Sequence, residues 1–281
     1  MALKKKADTL IYFSASFYDF PNNNYYDDNT TFPPELLPEL YNLKTLKFNT
    51  PFFRKFVYEV QLKMAFYSNL EILQLDYSFG TITSIIKNSG GKLRKILTSK
   101  QALYDENFYD DSLNFISAVY KHCPLVECLS LGFPSSVEHF LEFEKLLKAC
   151  PKLKVLILEI ESTIYLLEGL STKYWMLPGE REFIDEKSHE KGRLTSGEKL
   201  SNALIRSAPI TLRELRFYSS FKFSLITLEE FLENWRGRPA LTIYTLDRVY
   251  ETGNYVKLIE KYTNEGVIED FINGSVPVGY I

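Results

Sequence analysis

The residues of this chain best equipped for chemistry are His122, His139 and His189 and the thiols of Cys123, Cys128 and Cys150, and their spacing argues against an active site. A structural zinc ion needs four converging ligands, commonly from tight pairs such as Cys-x-x-Cys, and only His122 has cysteines near it. Cys123 and Cys150 each stand before a proline at the end of an apolar-periodic stretch, where a small side chain fills a core. Cys128 falls on a variable position and is expected to be partly exposed. The carboxylates Glu142 and Glu144, and Glu229 and Glu230, have the spacing of a solvated helix face. Gly90-Gly91 reads as a turn and not as a phosphate loop, and no Gly-x-Ser-x-Gly elbow occurs. Trp235 beside Arg236 and Arg238 has the composition of a binding hot spot, but its place in the pattern described next makes it a plug for a core. The expectation is a non-enzymatic chain with no catalytic residues, no cofactor and no metal.

The elements that must position these residues announce themselves as a recurring phrase: apolar, two variable residues, Leu, one variable residue, apolar. It runs Leu43-Lys44-Thr45-Leu46-Lys47-Phe48, Leu70-Glu71-Ile72-Leu73-Gln74-Leu75, Val126-Glu127-Cys128-Leu129-Ser130-Leu131, Leu153-Lys154-Val155-Leu156-Ile157-Leu158 and Leu212-Arg213-Glu214-Leu215-Arg216-Phe217. Looser copies begin at Leu93 and Leu241. The steps between first positions are 27, 23, 33, 27, 59 and 29 residues. Such periods define leucine-rich repeats, in which each unit buries one side of a short strand against its neighbours because no unit can build a core alone. The expected fold is α/β: a leucine-rich-repeat solenoid, an arc with parallel strands on the concave face and helices on the convex face, in one domain of about 7 to 9 irregular repeats over 1–281.

Apolar spacing predicts helices over 53–67, 81–87, 110–122, 135–149, 196–207, 227–235 and 252–264. Several end in a small residue and a proline, which cannot extend a helix. A strand over Leu10–Phe13 starts the array almost at Met1, with no polar end cap evident there. Residues 19–34 read as a polar loop. Residues 160–194 read as a degenerate repeat or an insertion, and 252–281 as a closing helix and tail.

A net charge of -3 argues against nucleic-acid binding, which usually calls for a basic stripe. No stretch approaches the roughly 18 apolar residues of a membrane helix, and Asp8 interrupts the resemblance of the N-terminus to a signal peptide. Three cysteines fit free thiols. The chain is expected to be intracellular, cytoplasmic or nuclear, and monomeric.

The helix end Cys-Pro followed by an apolar-x-x-Leu-x-Leu strand resembles the cysteine-containing repeats of F-box proteins. Phe231 to Leu241, and Leu258-Ile259-Glu260-Lys261-Tyr262 with Gly266-Val267-Ile268, are similar to the closing repeats of fungal F-box-like leucine-rich-repeat proteins with an RNI-like horseshoe. In that family an F-box docks on the Skp adaptor of a cullin ubiquitin ligase while the repeats select the substrate. The resemblance implies a substrate-recognition repeat domain, here lacking its F-box, so that a Skp-type adaptor would bind only if an F-box is supplied elsewhere. The alternative is a stand-alone regulator, an activator or inhibitor of a catalytic partner such as a small GTPase or nuclease.

Strand side chains alternate, so the residues between the core positions should line the concave face in rows. One row is Thr45, Ile72, Lys95, Cys128, Val155, Glu214 and Ile243; the next is Lys47, Gln74, Leu97, Ser130, Ile157, Arg216 and Thr245; a third is Asn49, Asp76, Gly132, Glu159, Tyr218 and Asp247. About eight strands span roughly 35 Å, enough for a protein interface. Leu97, Val155 and Ile157 should form a solvent-facing apolar centre flanked by Lys47, Lys95 and Arg216. Within these rows the client-binding residues are expected to be Lys47, Gln74, Lys95, Leu97, Cys128, Ser130, Val155, Ile157, Glu214, Arg216 and Tyr218.

Overall fold

The structure, a computed structural model, describes residues 9–16, 33–49, 55–98, 107–161, 186–217 and 221–274. These form nine strands and seven α-helices in one repeating order: β1 (Tyr12–Ser16), β2 (Thr45–Asn49), α1 (Lys55–Met64), β3 (Ile72–Leu75), α2 (Phe79–Lys87), β4 (Lys95–Thr98), α3 (Phe108–His122), β5 (Cys128–Pro134), α4 (Val137–Ala149), β6 (Val155–Glu161), α5 (Glu186–Ser207), β7 (Glu214–Phe217), α6 (Leu225–Trp235), β8 (Leu241–Thr245), α7 (Gly253–Asn264) and β9 (Ile268–Asn273). All nine strands join one sheet in sequence order, and every neighbouring pair is parallel. Parallel crossovers are right-handed, so a sheet that always adds the next strand on the same side carries its helices on one face. Contacts between consecutive helices, from α1 with α2 through α6 with α7, agree with that. The molecule is thus an α/β arrangement of two layers, a nine-stranded parallel sheet and a row of helices.

The central leucine of each phrase stacks on its counterparts. Leu46, Leu73, Ile96, Leu129, Leu156, Leu215 and Ile243 are paired across seven successive strands, and all are buried between sheet and helices. The first apolar positions Leu43, Leu70, Leu93, Val126, Leu153 and Leu212 are equally buried. At the helix-to-strand joints the carbonyls of Leu40, Tyr67, Cys123, Cys150 and Pro209 accept the N–H of the first apolar residue three positions on, at 3.1–3.2 Å. Four of these five side chains are fully buried, and the hydroxyl of the largest, Tyr67, donates to the Leu37 carbonyl at 3.0 Å. Gly90 holds the corresponding place before Leu93, and there a Cβ would come within 2.1 Å of the Ser68 carbonyl oxygen.

Serines cap three of the helices: Ser78 accepts from Thr81 N–H, Ser136 from His139 N–H and Ser224 from Thr227 N–H. Trp235 plugs the core under α6, as its place in the pattern predicts, with Nε1 donating to the Pro239 carbonyl at 3.0 Å and the Arg238 guanidinium 3.9 Å from its ring. The first helix of the described row, α1, carries Phe56, Val60 and Met64 on an exposed stripe opposite its buried Tyr58 and Leu62.

Four expectations change. Strand β1 lies two residues later than Leu10–Phe13. Helix α5 starts at Glu186, ten residues before the predicted start at 196, because its first turns are polar and carry no apolar period to read. The chain after α7 is not a tail alone, since Ile268–Asn273 adds β9 beside β8. Across the 59-residue step β6 pairs directly with β7, so no strand of a degenerate repeat lies between them in the sheet, and of the two readings of 160–194 the insertion is the one left. Residues 162–185, and 19–32 of the loop expected over 19–34, lie outside the described residues; the end of that stretch enters a 3-10 turn at Pro34–Leu36.

Because Leu156 sits in the middle of the stacked row, Leu156→Ala should lower the unfolding free energy by about 2–5 kcal/mol. Urea denaturation checks this, with Leu141→Ala on the exposed side of α4 changing it by less than ~0.5 kcal/mol.

Candidate functional site

The face of the sheet turned away from the helices is where side chains are released from core duty. The register brings the predicted rows together: Thr45, Ile72, Lys95, Cys128, Val155 and Glu214 are successive partners, as are Lys47 with Gln74, Gln74 with Leu97, Ser130 with Ile157 and Ile157 with Arg216. In the third row Gly132 pairs with Glu159 and is buried. Tyr218 lies outside the described residues, as does the side chain of Asn49.

Two features of the face depart from the predicted one. Counting β8 from Leu241 as a first apolar position put Ile243 and Thr245 on the open face, whereas Glu214 pairs with Thr242 and Arg216 with Tyr244. A slip of one residue exchanges the two faces of a strand. Ile243 and Thr245 are buried in the core, Thr242 and Tyr244 take their places, and Asp247 caps the following 3-10 turn by accepting from Val249 N–H at 3.0 Å. The alternation Leu241-Thr242-Ile243-Tyr244 carried this signal, and the phrase template overrode it.

The second departure concerns exposure. Leu97, Cys128 and Ile157 do converge, with Val155 packed on them, as an apolar cluster separate from the main core. They are not open to solvent: Ile157 is 0% exposed, Leu97 2% and Cys128 6%. Ser130 is buried too, its Oγ within 3.1 Å of Thr98 Oγ1. Burial pushes the Cys128 thiol up to about 11 despite the nearby charges of Lys95 and Arg216, so it stays protonated. Of the predicted client-binding residues, those left partly open are Lys47, Gln74, Lys95, Val155, Glu214 and Arg216.

The polar groups around this cluster are arranged unevenly. Arg216 is clamped, its Nε donating to Glu214 and its guanidinium lying 4.8 Å from the Tyr244 ring centre. Among the described residues Lys95 has no such clamp. Partial burial lowers its ammonium pKa; Cys128 opposes that, and the positive charges of Lys47 and Arg216 lower it further.

A second polar cluster lies between α3 and α4. His139 is buried with Nδ1 2.7 Å from Ser136 Oγ and Nε2 2.8 Å from Ser112 Oγ, edge-on to the Tyr109 ring and parallel to Phe133. A histidine between two serines suggests nucleophilic chemistry, but Ser112 is buried as well and donates to the Tyr109 carbonyl at 2.9 Å. Both imidazole nitrogens are occupied, and the cluster ties α3 to α4. Desolvation lowers the His139 pKa against the opposing effects of the Tyr109 carbonyl, Glu138 and Asp110. Among the described residues no group of three or more His, Cys, Asp or Glu is placed to hold a metal ion, and no helix is long and apolar enough to cross a membrane. The sequence matches no protein-family model and no curated protein.

Two outcomes follow from these burials. Ile157→Glu should lower the unfolding free energy by about 3 kcal/mol or more, because a carboxylate there has neither water nor a partner. Gln74→Glu on the open part of the same row should change it by less than ~0.5 kcal/mol in the same urea titration. For His139 the folded pKa lies below the ordinary value near ~6.5, so the unfolded chain binds the proton first. Its contribution to stability is present above that value and is lost as pH falls below it. Melting temperature should therefore drop more between pH 7.5 and pH 5.5 for the parent than for His139→Gln.

Proposed function

We propose that this chain is a leucine-rich-repeat solenoid that works as a protein-binding scaffold, holding its partner on the strand face opposite the helices. The observation that carries the reading is a division of labour along each strand. Positions facing the helices repeat as Leu, Ile or Phe in strand after strand, while the open positions beside them are Lys47, Gln74, Lys95, Val155, Arg216 and Tyr244. Their chemistry has no structural period. Such a surface suits recognition, since charged, amide and aromatic groups set at fixed spacing provide specificity on a rigid frame. Nine strands at about 4.8 Å span roughly 40 Å, and a standard interface takes about 800 Å² from each partner.

Holding the client of an F-box-type ubiquitin-ligase receptor is the use of this face that the sequence resemblance implies, and the proposal extends to it. Purified chain with adaptor and client candidates, followed by mass spectrometry of what it retains, tests both levels. Tyr244→Ala removes a partly open aromatic side chain of the face and should weaken capture of a genuine partner at least ~10-fold, consistent with aromatic anchors. Leu141→Lys on the helix side should leave capture unchanged. The reverse pattern would move the binding surface to the helices.

A further inference from the structure

The two outer strands of the sheet are finished differently. Strand β9 closes one edge with exposed Glu269 and Asp270, and its pairing with β8 carries a register shift at Leu241/Thr242. Charges and bulges are among the devices by which a sheet keeps foreign strands from adding to its edge. Strand β1 has neither. Tyr12-Phe13-Ser14-Ala15-Ser16 holds no charge and no proline, and its register with β2 runs without a slip. At its start Ile11 and Tyr12 are 58% and 56% exposed. Among the described residues β1 pairs on one side alone.

We propose that this edge is closed by the same edge of a second copy of the chain, β1 pairing antiparallel with β1 about a two-fold axis at Ser14. The inference goes beyond the scaffold reading and replaces the monomer expected from the sequence. Backbone direction is its first support. The Ile11 carbonyl turns toward β2, where it accepts from Lys44 N–H at 2.8 Å and Thr45 N–H at 3.1 Å. Backbone groups alternate sides along a strand in a ladder, so Phe13 and Ala15 also turn toward β2. Tyr12, Ser14 and Ser16 then point their N–H and C=O groups off the edge. These three are placed evenly about Ser14. An antiparallel copy centred there pairs Ser14 with its counterpart and Tyr12 with the second copy's Ser16, each pair exchanging both hydrogen bonds.

Side-chain size is the second support. Phe13 and Ala15 stand in register with the core residues Leu46 and Phe48, so on the core side Phe13 comes opposite the second copy's Ala15. A ring meets a methyl group, and the contact is made twice. On the open side the axis passes between two exposed serines, whose small side chains let the backbones close. Closure is the third. A copy that added its β1 to β9 would extend the array head to tail without end, and the acids and irregular register of β9 oppose that. The symmetric contact closes after two copies. Its axis crosses the sheet, so both helix rows lie on one side and both open strand faces on the other.

The test follows the mass of the whole chain by analytical ultracentrifugation from micromolar to hundred-micromolar concentration. The parent should form a dimer and nothing larger. Ser14→Pro removes the N–H at the axis, which an edge strand tolerates on its free side, and Ser14→Lys sets two like charges across it. Both should melt like the parent yet dimerise at least ~10-fold more weakly, whereas Glu269→Gln on the far edge should dimerise like the parent. Ser14→Cys should yield a disulfide-linked dimer in air, because directly paired Cα atoms about 5.5 Å apart suit that bond. Tyr12→Cys should not, and the native thiols of Cys123, Cys128 and Cys150 are buried. A dimer that survives both Ser14→Pro and Ser14→Lys, linkage through Tyr12→Cys as complete as through Ser14→Cys, or a mass that keeps growing with concentration would each overturn the proposal. So would a parent that is monomeric throughout. If hydrogen exchange then shows β1 protected only when another protein is captured, the edge belongs to that protein.

Discussion

Strands β2 to β7 each enter the sheet by giving two N–H groups to one carbonyl at the start of the strand before. The carbonyl of Ile11 accepts from Lys44 and Thr45, that of Lys44 from Glu71 and Ile72, and that of Glu71 from Arg94 and Lys95. The pattern continues at Arg94, Glu127 and Lys154, with all distances between 2.7 and 3.1 Å. This shared acceptor sets the register before any side chain is considered. Once it is set, the central apolar residues must stack in one row and the open residues in others. A side chain that cannot enter the stack would leave a void beside neighbours already packed, which is why the row is so uniform.

The residues that supply those carbonyls carry a second device. Read along the sheet they are Lys44, Glu71, Arg94, Glu127 and Lys154, alternating in sign, and Glu127 is shared by the cations on both sides. Lys154 and Arg94 hold the Glu127 carboxyl below the usual carboxylate range. Each exposed pair is worth little by itself. The alternation ends at the next strand, where Arg213 stands beside Lys154.

With register and core settled at the edge and on the helix side, the far face carries few structural obligations. Its centre nevertheless folds in on itself, and only the flanks remain open. Lys47, Lys95 and Arg216 border this dry centre, and Arg216 is held there by Glu214. The His139 cluster shows the opposite choice: its imidazole is fully partnered by Ser112, Ser136 and the Tyr109 carbonyl, so a group of reactive types acts as a strut.

Most of the architecture was legible in the primary structure because the apolar period is enforced everywhere by the same packing demand. The stacked positions Leu73, Leu129, Leu156 and Leu215, the alternating strands and the helix intervals all follow from it. Legibility failed where that demand is absent or divided. The polar first half of α5 has no period, β9 follows no copy of the phrase, and in β8 the template and the alternation disagreed about which side of Ile243 faces the core. Membership of the face rows could be read from residue spacing, since alternation is local. Exposure could not. Whether Ile157 meets water depends on groups brought over it from distant parts of the chain, and whether Lys47 and Lys95 are neutralised depends on where every carboxylate ends up. Those are sums over the whole fold, so the tertiary structure alone decided that the centre of this face is dry and that, among the described residues, no carboxylate pairs with its flanking lysines.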